Sequence, residues 1–326
     1  MKALVFRGAG DVRWDDVPVP IVRRPTDAIV RMSATTVSAM DLEIRAGTLP
    51  EVRQGRILGH EGVGVVWRTG SGVSRLRVGD RVVVSAVSAC GVCAHCRVGM
   101  RHHCLDPEGG RGSGWILGYS IDGTHAEYTR VPFADQSALP VPRGVADAGA
   151  LLVSEVLPTA YEAAVQRSGL RSGESVAIIG AGPVAAAAVA AVGLAHPART
   201  VGIDEDLAST EEEFDAVIDT TGTGASLRLA AHIVRVRGRV VTLGVHAPAS
   251  RDDLQIFRER RIRLALSATA ASSSRLLLRL LDERKLSVGH LITQEVGFDQ
   301  MLSAFALSSG ARANGTLKVL VRVAAD

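Results

Sequence analysis

The sequence predicts an α/β protein in two parts, an antiparallel β-rich first half followed by a parallel, dinucleotide-binding part. Three observations predict it. A glycine turn separates an apolar run, Val176 to Ile179, from a helix of small residues. Short β-prone runs divided by Gly, Pro and Asp fill residues 1–150. Four cysteines crowd between positions 90 and 104, marking a compact lobe inside that first half.

The stretch Glu174–Asp204 reads as strand, tight turn, helix, then a strand with a terminal acid. Gly180 permits the turn, and Gly182 lets the backbone approach a pyrophosphate. The helix N-terminus offers free N–H groups and its positive dipole end to that anion. Asp204 lies 22 residues past Gly182, where a carboxylate accepts hydrogen bonds from an adenine ribose. Ala185 replaces the third glycine, which the looser form of the pattern allows. A lone glycine pattern is weak; here its βαβ context makes it specific.

The totals set bounds. A chain of 326 residues accommodates two domains and a sizeable core. Hydrophobic residues make up 47% and charged residues 22%, as in a soluble globular enzyme. A net charge of +3 is too small to argue for nucleic acid. Lysine occurs only at positions 2, 285 and 318, so arginine carries nearly all the positive charge. No apolar run reaches the ~18–20 residues of a membrane span. The start, MKALVFRG, reads as a first strand rather than a signal peptide, so the expected location is cytoplasmic. Clustering of all the cysteines favours metal binding over disulfides.

Along the first half, Ala28–Met32, Gly62–Trp67 and Arg81–Ala86 are expected strands. Gly59-His60-Glu61-Gly62 opens one of them and can present an imidazole and a carboxylate, a weak signal when taken alone. Cys90, Cys93, Cys96 and the later Cys104 form a closed set of four thiolates. That set suits a structural zinc with no open position.

Gly59-His60-Glu61, the cysteine lobe and the glycine turn, in this order, resemble the medium-chain dehydrogenase/reductase family, and more narrowly its zinc-dependent alcohol dehydrogenases. Trp115-Ile116-Leu117-Gly118, the run Asp122 to Tyr128 and the run Val156 to Tyr161 fit the same family. The resemblance spans nearly the whole chain. It implies a GroES-like catalytic domain over 1–150, completed by the tail 290–326, and a Rossmann cofactor domain over 151–289. It implies cofactor contacts at Thr159, Gly180, Gly182, Pro183, Val184, Asp204 and Gly244. It also implies a homodimer or homotetramer built on the Rossmann sheet.

The departures concern the catalytic zinc. The family holds that metal with a cysteine in a Cys-Gly-Thr/Ser-Asp run, the histidine of Gly-His-Glu, and a cysteine or aspartate before Leu-Pro-Thr. This chain reads Ser38-Ala39-Met40-Asp41 at the first place and Glu155 at the third. A serine hydroxyl rarely ionises for zinc, so one ligand is lost or much weakened. Met40 stands where the family relays the alcohol proton, and a thioether cannot donate one. Two arrangements stay open. Zinc persists on His60, Glu155 and Glu61, or the pocket works without metal through the same residues. Ser38, Asp41, His60, Glu61 and Glu155 are therefore the candidate catalytic residues.

In the second part, the helix Pro183–Leu194 is almost wholly Ala and Val and must be buried. The next strand, Phe214–Asp219, follows Asp204 with only nine residues between them. A further helix and strand need about 30 residues. The expectation is a truncated Rossmann sheet with the Asp204 strand at one edge. Strands at Arg239–Gly244 and Arg263–Ser267 and helices at Ser226–Val236 and Ser272–Arg284 complete it. Phe298–Leu307 reads as a helix and Lys318–Val323 as a strand that closes the first domain.

The functional expectation is NAD-dependent hydride transfer, NADP being disfavoured by Asp204 and Glu205. The substrate is a small molecule: a carbonyl or alcohol, an iminium, or a conjugated double bond. One alternative is a zinc-dependent alcohol or polyol dehydrogenase using His60, Glu61 and Glu155. Another is a non-redox lyase or cyclase on the same fold.

Overall fold

The computed structural model describes residues 1–106, 114–204, 212–243, 251–267 and 271–323, with side chains of 251–254 and 312 left out. The first half supplies β1 (Lys2–Gly8), β2 (Asp11–Asp16), β3 (Ala28–Thr35), β4 (Arg56–Ile57), β5 (Gly62–Thr69), β6 (Arg81–Val84), β7 (Tyr128–Val131) and β8 (Ala138–Pro140). Helix α1 (Ala39–Ala46) follows β3, and α2 (Asp147–Leu152) follows β8.

The second part begins with α3 (Val156–Tyr161), continued by a π-helical stretch, Glu162–Arg167. Then come β9 (Ser175–Ile179), α4 (Pro183–Val192), β10 (Arg199–Ile203), β11 (Phe214–Asp219), α5 (Gly224–Ile233), β12 (Val234–Thr242) and β13 (Arg263–Leu266). The tail adds α6 (Ser274–Asp282), β14 (Ile292–Gly297), α7 (Met301–Ser309) and β15 (Lys318–Arg322).

Two compact units result. One groups Met1–Glu155 with Ala270–Lys285 and Ile292–Asp326; the other groups Val156–Thr269 with Leu286–Leu291. In the first, β1 pairs antiparallel with both β2 and β4. The larger sheet runs β14-β15-β3-β5-β6-β8, with β7 also on β3. β3 is apolar on both faces, with Ala28, Ile29, Val30, Met32 and Ala34 all buried. β15 docks antiparallel on β3 through Val321–Thr35, so the tail closes this unit's sheet.

The second unit is a five-stranded parallel sheet ordered β10-β9-β11-β12-β13. β9 is buried throughout from Val176 to Ile179, the continuous apolar pattern of a parallel strand covered on both faces. Helix α4 buries Ala185, Ala187, Ala188, Ala191 and Val192, whose small side chains allow close approach to the sheet. Among the described strands β10, which ends just before Asp204, pairs with β9 alone and lies at the edge, as the short spacing to β11 requires. The truncated sheet is thus observed.

Two local expectations differ. α5 stops at Ile233, and the β-branched run from Val234 enters β12 instead of extending the helix. α6 groups with the first unit rather than with the parallel sheet: Arg275 donates to the Asp135 carbonyl at 3.2 Å. Its sequence shows an apolar face but not which sheet receives it.

Candidate functional site

The pocket of the first unit is assembled at the entry to β5. Gly59 has φ +87°, and a Cβ there would come within 2.3 Å of His125 Cδ2 and 2.6 Å of Thr124 Oγ1. Only glycine fits, and the turn it makes delivers His60 and Glu61 inward. Glu155 arrives from the turn after α2, Asp41 from the first turn of α1, and Lys318 from the start of β15.

Ser38 is the N-cap of α1. Its hydroxyl donates to Asp41 Oδ2 at 2.6 Å and accepts the Asp41 N–H at 3.2 Å, while the Ser38 N–H donates to the same oxygen at 2.8 Å. This is a reciprocal capping box. Asp41, wholly buried, also accepts the Gly59 N–H on Oδ1 at 2.9 Å, which ties the cap to the His60 turn. Burial opposes its charge, but the nearby His125 and His60 and the Ser38 bonds hold its carboxyl below the usual range. His125 Nε2 bonds the Thr36 carbonyl at 2.9 Å, and burial keeps this imidazole's pKa low.

His60 and Glu155 face each other, Nε2 to Oε2, at 3.0 Å. Burial disfavours an imidazolium at His60, yet the Glu155 carboxylate and its hydrogen bond push the ring up to about 9. Glu155 moves the other way: burial raises it, and His60 brings it below the usual range. Glu61 Oε1 accepts from Lys318 Nζ at 2.6 Å in a pair that is 0% and 4% exposed. Burial pushes Glu61 up, with Lys318 opposing. Glu61 Oε2 and His60 Nδ1 are buried and find no hydrogen-bond partner among the described residues.

Donor atoms of His60, Glu61 and Glu155 all lie within 4.8 Å of one another. One imidazole and two carboxylates fit a divalent cation, and the unpartnered Glu61 Oε2 is a spare ligand oxygen. The set contains no thiolate, and the Ser38 hydroxyl is committed to Asp41. Of the five candidates, three converge on one point, and Ser38 and Asp41 form the cap that braces them. Against His60 stands Trp115, edge-on at 5.5 Å between centroids and 71°; Tyr119 stacks on Trp115 at 4.7 Å and 27°.

The lobe fits zinc more fully. The sulfurs of Cys90, Cys93, Cys96 and Cys104 lie within 4.8 Å of one another, with no disulfide. Backbone N–H groups point at them: Cys93 to Cys90, Cys96 and Leu105 to Cys93, and Cys90 to Cys104, at 3.3–3.5 Å. The Leu105 and Cys96 N–H groups draw the Cys93 thiol down to about 6, whereas burial pushes Cys96 up to about 12. Four soft donors in a closed array suit a tetrahedral structural zinc.

In the second unit, Gly180 (φ +124°) ends β9, and a Cβ there would meet Thr220 Oγ1 at 2.3 Å. Gly182 is the N-cap of α4, with Pro183 at the first helical position and no side chain capping the end. Among the described residues a Cβ at Gly182 meets nothing within 4 Å, which leaves room beside the uncapped helix end. That geometry fits a pyrophosphate. Val184 continues the first turn, Asp204 follows the neighbouring strand, and Thr159 lies on α3. Gly244 falls outside the described residues. The strand order reverses between β9 and β11, and the ends of both strands meet where Thr220 donates to the Ile179 carbonyl at 2.8 Å.

Sequence reasoning missed Lys318, Tyr119 and Thr220. A single lysine opening the apolar strand Lys318–Arg322, in a chain almost without lysine, was the available sign of a buried partner.

Fold and site define a class first: a dehydrogenase/reductase with a parallel sheet of the dinucleotide-binding type and a separate four-cysteine lobe. Residues 24–143 match the alcohol dehydrogenase GroES-like domain, and residues 193–319 match the zinc-binding dehydrogenase domain. A Mycobacterium tuberculosis protein named "Probable zinc-binding alcohol dehydrogenase" is 31% identical, over 99% of this chain and 88% of that protein. An alcohol dehydrogenase of Cupriavidus necator is 27% identical over 99% and 98%. The solved structure of zinc dependent alcohol dehydrogenase 2 from Streptococcus pneumoniae, in apo form, matches with a TM-score of 0.89 and 32% identity over 100% and 99%. Alcohol dehydrogenase TADH from Thermus sp. ATN1 matches with a TM-score of 0.88 and 26% identity over 99% and 100%. The chain belongs to the medium-chain dehydrogenase/reductase family and is an oxidoreductase. None of its described helices is long and apolar enough to cross a membrane.

Proposed function

We propose that this enzyme moves hydride between NAD and a small organic substrate, at a pocket whose catalytic metal is weakly held or absent. Ser38 carries the reading. It stands where the family supplies a thiolate, and its hydroxyl is already donated to Asp41 at 2.6 Å. Of the remaining donors, His60 Nε2 and Glu155 are bonded to each other and Glu61 Oε1 to Lys318, so a cation that used His60 Nε2 would have to displace the His60–Glu155 bond. A zinc bound there would polarise the substrate oxygen as a Lewis acid. Glu155 and His60 hold a proton between Nε2 and Oε2, and Lys318 compensates the Glu61 charge. Such a pocket suits substrates that need little polarisation, an iminium or conjugated double bond as well as an alcohol or carbonyl.

NAD is favoured over NADP because Asp204, followed in sequence by Glu205, repels a 2′-phosphate. Calorimetry with NADH and NADPH tests this; clear preference for NADPH removes the Asp204 argument. A second reading, a zinc-dependent alcohol or polyol dehydrogenase, draws support from the 4.8 Å convergence of His60, Glu61 and Glu155. Zinc per chain in metal-replete protein separates the two. One zinc in the wild type rising to two in Ser38→Cys supports the weak-metal pocket; two in the wild type give the zinc-dependent reading the lead.

A further inference from the structure

The aromatic wall beside His60 has no part in the chemistry so far. It is built rigidly onto the histidine turn. Gly118 has φ +71°, and a Cβ there would come within 2.8 Å of the Gly59 carbonyl oxygen, so the Trp115–Tyr119 turn lies backbone to backbone on Gly59. Ile116 and Leu117 are wholly buried between the two rings in sequence and anchor the turn in the core. Arg56 Nε donates to the Tyr119 carbonyl at 3.1 Å and fixes its far side. The rings themselves are half-buried and keep part of their surface accessible. Leu42 and Leu49, also half-buried, belong to the same apolar cluster.

Resting on the hydride-transfer reading, we infer that the substrate is an aryl or conjugated alcohol, or the matching aldehyde. Its flat group lies along Trp115 and Tyr119, and its oxygen-bearing carbon faces His60. A ring stacked on this wall gains about two- to tenfold in binding beyond its burial. A polyol placed there leaves hydroxyl groups unpaired against carbon, which costs binding. In the oxidative direction the carbinol C–H bond breaks, its hydride reducing NAD+ to NADH. The hydroxyl proton is released, and a carbonyl conjugated with the ring forms.

The test measures kcat/KM for benzyl alcohol, ethanol and sorbitol with NAD+ and NADP+, in the wild type, Trp115→Ala and Trp115→Phe. The expected wild type prefers benzyl alcohol to ethanol by about tenfold or more. Trp115→Ala lowers that ratio about tenfold, chiefly through KM, and Trp115→Phe recovers most of it. Benzamide, an unreactive aryl probe, is expected to quench tryptophan fluorescence in the wild type and not in Trp115→Phe, a readout independent of whether the alanine variant folds. Wild-type preference for ethanol or sorbitol, or equal losses on all three alcohols in Trp115→Ala, overturns the inference and leaves hydride transfer standing. No cofactor reduction by any of the three overturns the inference; if NADH is also left unoxidised by benzaldehyde, a cyclic iminium and an enone, the functional reading falls with it, and absence of benzamide quenching then overturns the wall as well.

Discussion

Two sites in the first unit are made of metal-binding side chains, and they differ in what balances their charge. In the cysteine lobe the sulfurs have backbone N–H groups and one another as partners. In the pocket each donor has a side-chain partner: Ser38 with Asp41, Glu61 with Lys318, His60 with Glu155. The lobe's thiolates suit a divalent cation as counter-charge, whereas the pocket sets Lys318 and His60 against Glu61 and Glu155. Metal loading therefore tests two separate things, folding at the lobe and chemistry at the pocket.

The comparison is sharpest in the lobe. Removing its zinc by chelation, or by Cys104→Ser, is expected to cost several kcal/mol, on the order of 10 °C in Tm by calorimetry. An unchanged Tm would break the contrast. Lys318→Met comes next. It strands a buried carboxylate, and urea denaturation should show a loss of about 3–5 kcal/mol. Adding Glu61→Gln should recover much of that; no recovery would mean the pair does not balance the pocket. Ser38→Ala removes the cap of α1 and is expected to cost about 1 kcal/mol with zinc per chain unchanged. A fall in zinc content would show that Ser38 is a ligand after all. Smallest in stability is Gly182→Ala, whose Cβ meets no atom of the described residues: Tm should stay put while NADH binds about tenfold more weakly by calorimetry. Equal NADH affinity would remove the pyrophosphate assignment.

Short-range spacing was readable in the sequence. The glycine turn, the four cysteines and the nine residues between Asp204 and Phe214 each state a geometry within one or two elements, and the edge position of β10 followed by counting. Ser38 was half legible. Its mismatch with a thiolate was plain, yet Ser38-x-x-Asp41 is also a capping-box spacing, and that alternative use of the hydroxyl went unread. Lys318 and Glu61 are 257 residues apart, and periodicity in either strand says nothing about the other. The same holds for α6, whose apolar face fits more than one sheet.

Synthesis order gives β15 a further consequence. The parallel strands β9–β13 are all made before position 318 leaves the ribosome, and that unit can settle while the chain is still growing. The half begun first has to wait. Until β15 arrives, the Ala34–Thr35 end of β3 keeps an unpaired edge and Glu61 lacks its Lys318 partner. Nascent chains stalled short of Lys318 should thus be bound by chaperones through their oldest residues, and the pocket is among the final parts of the molecule to become whole.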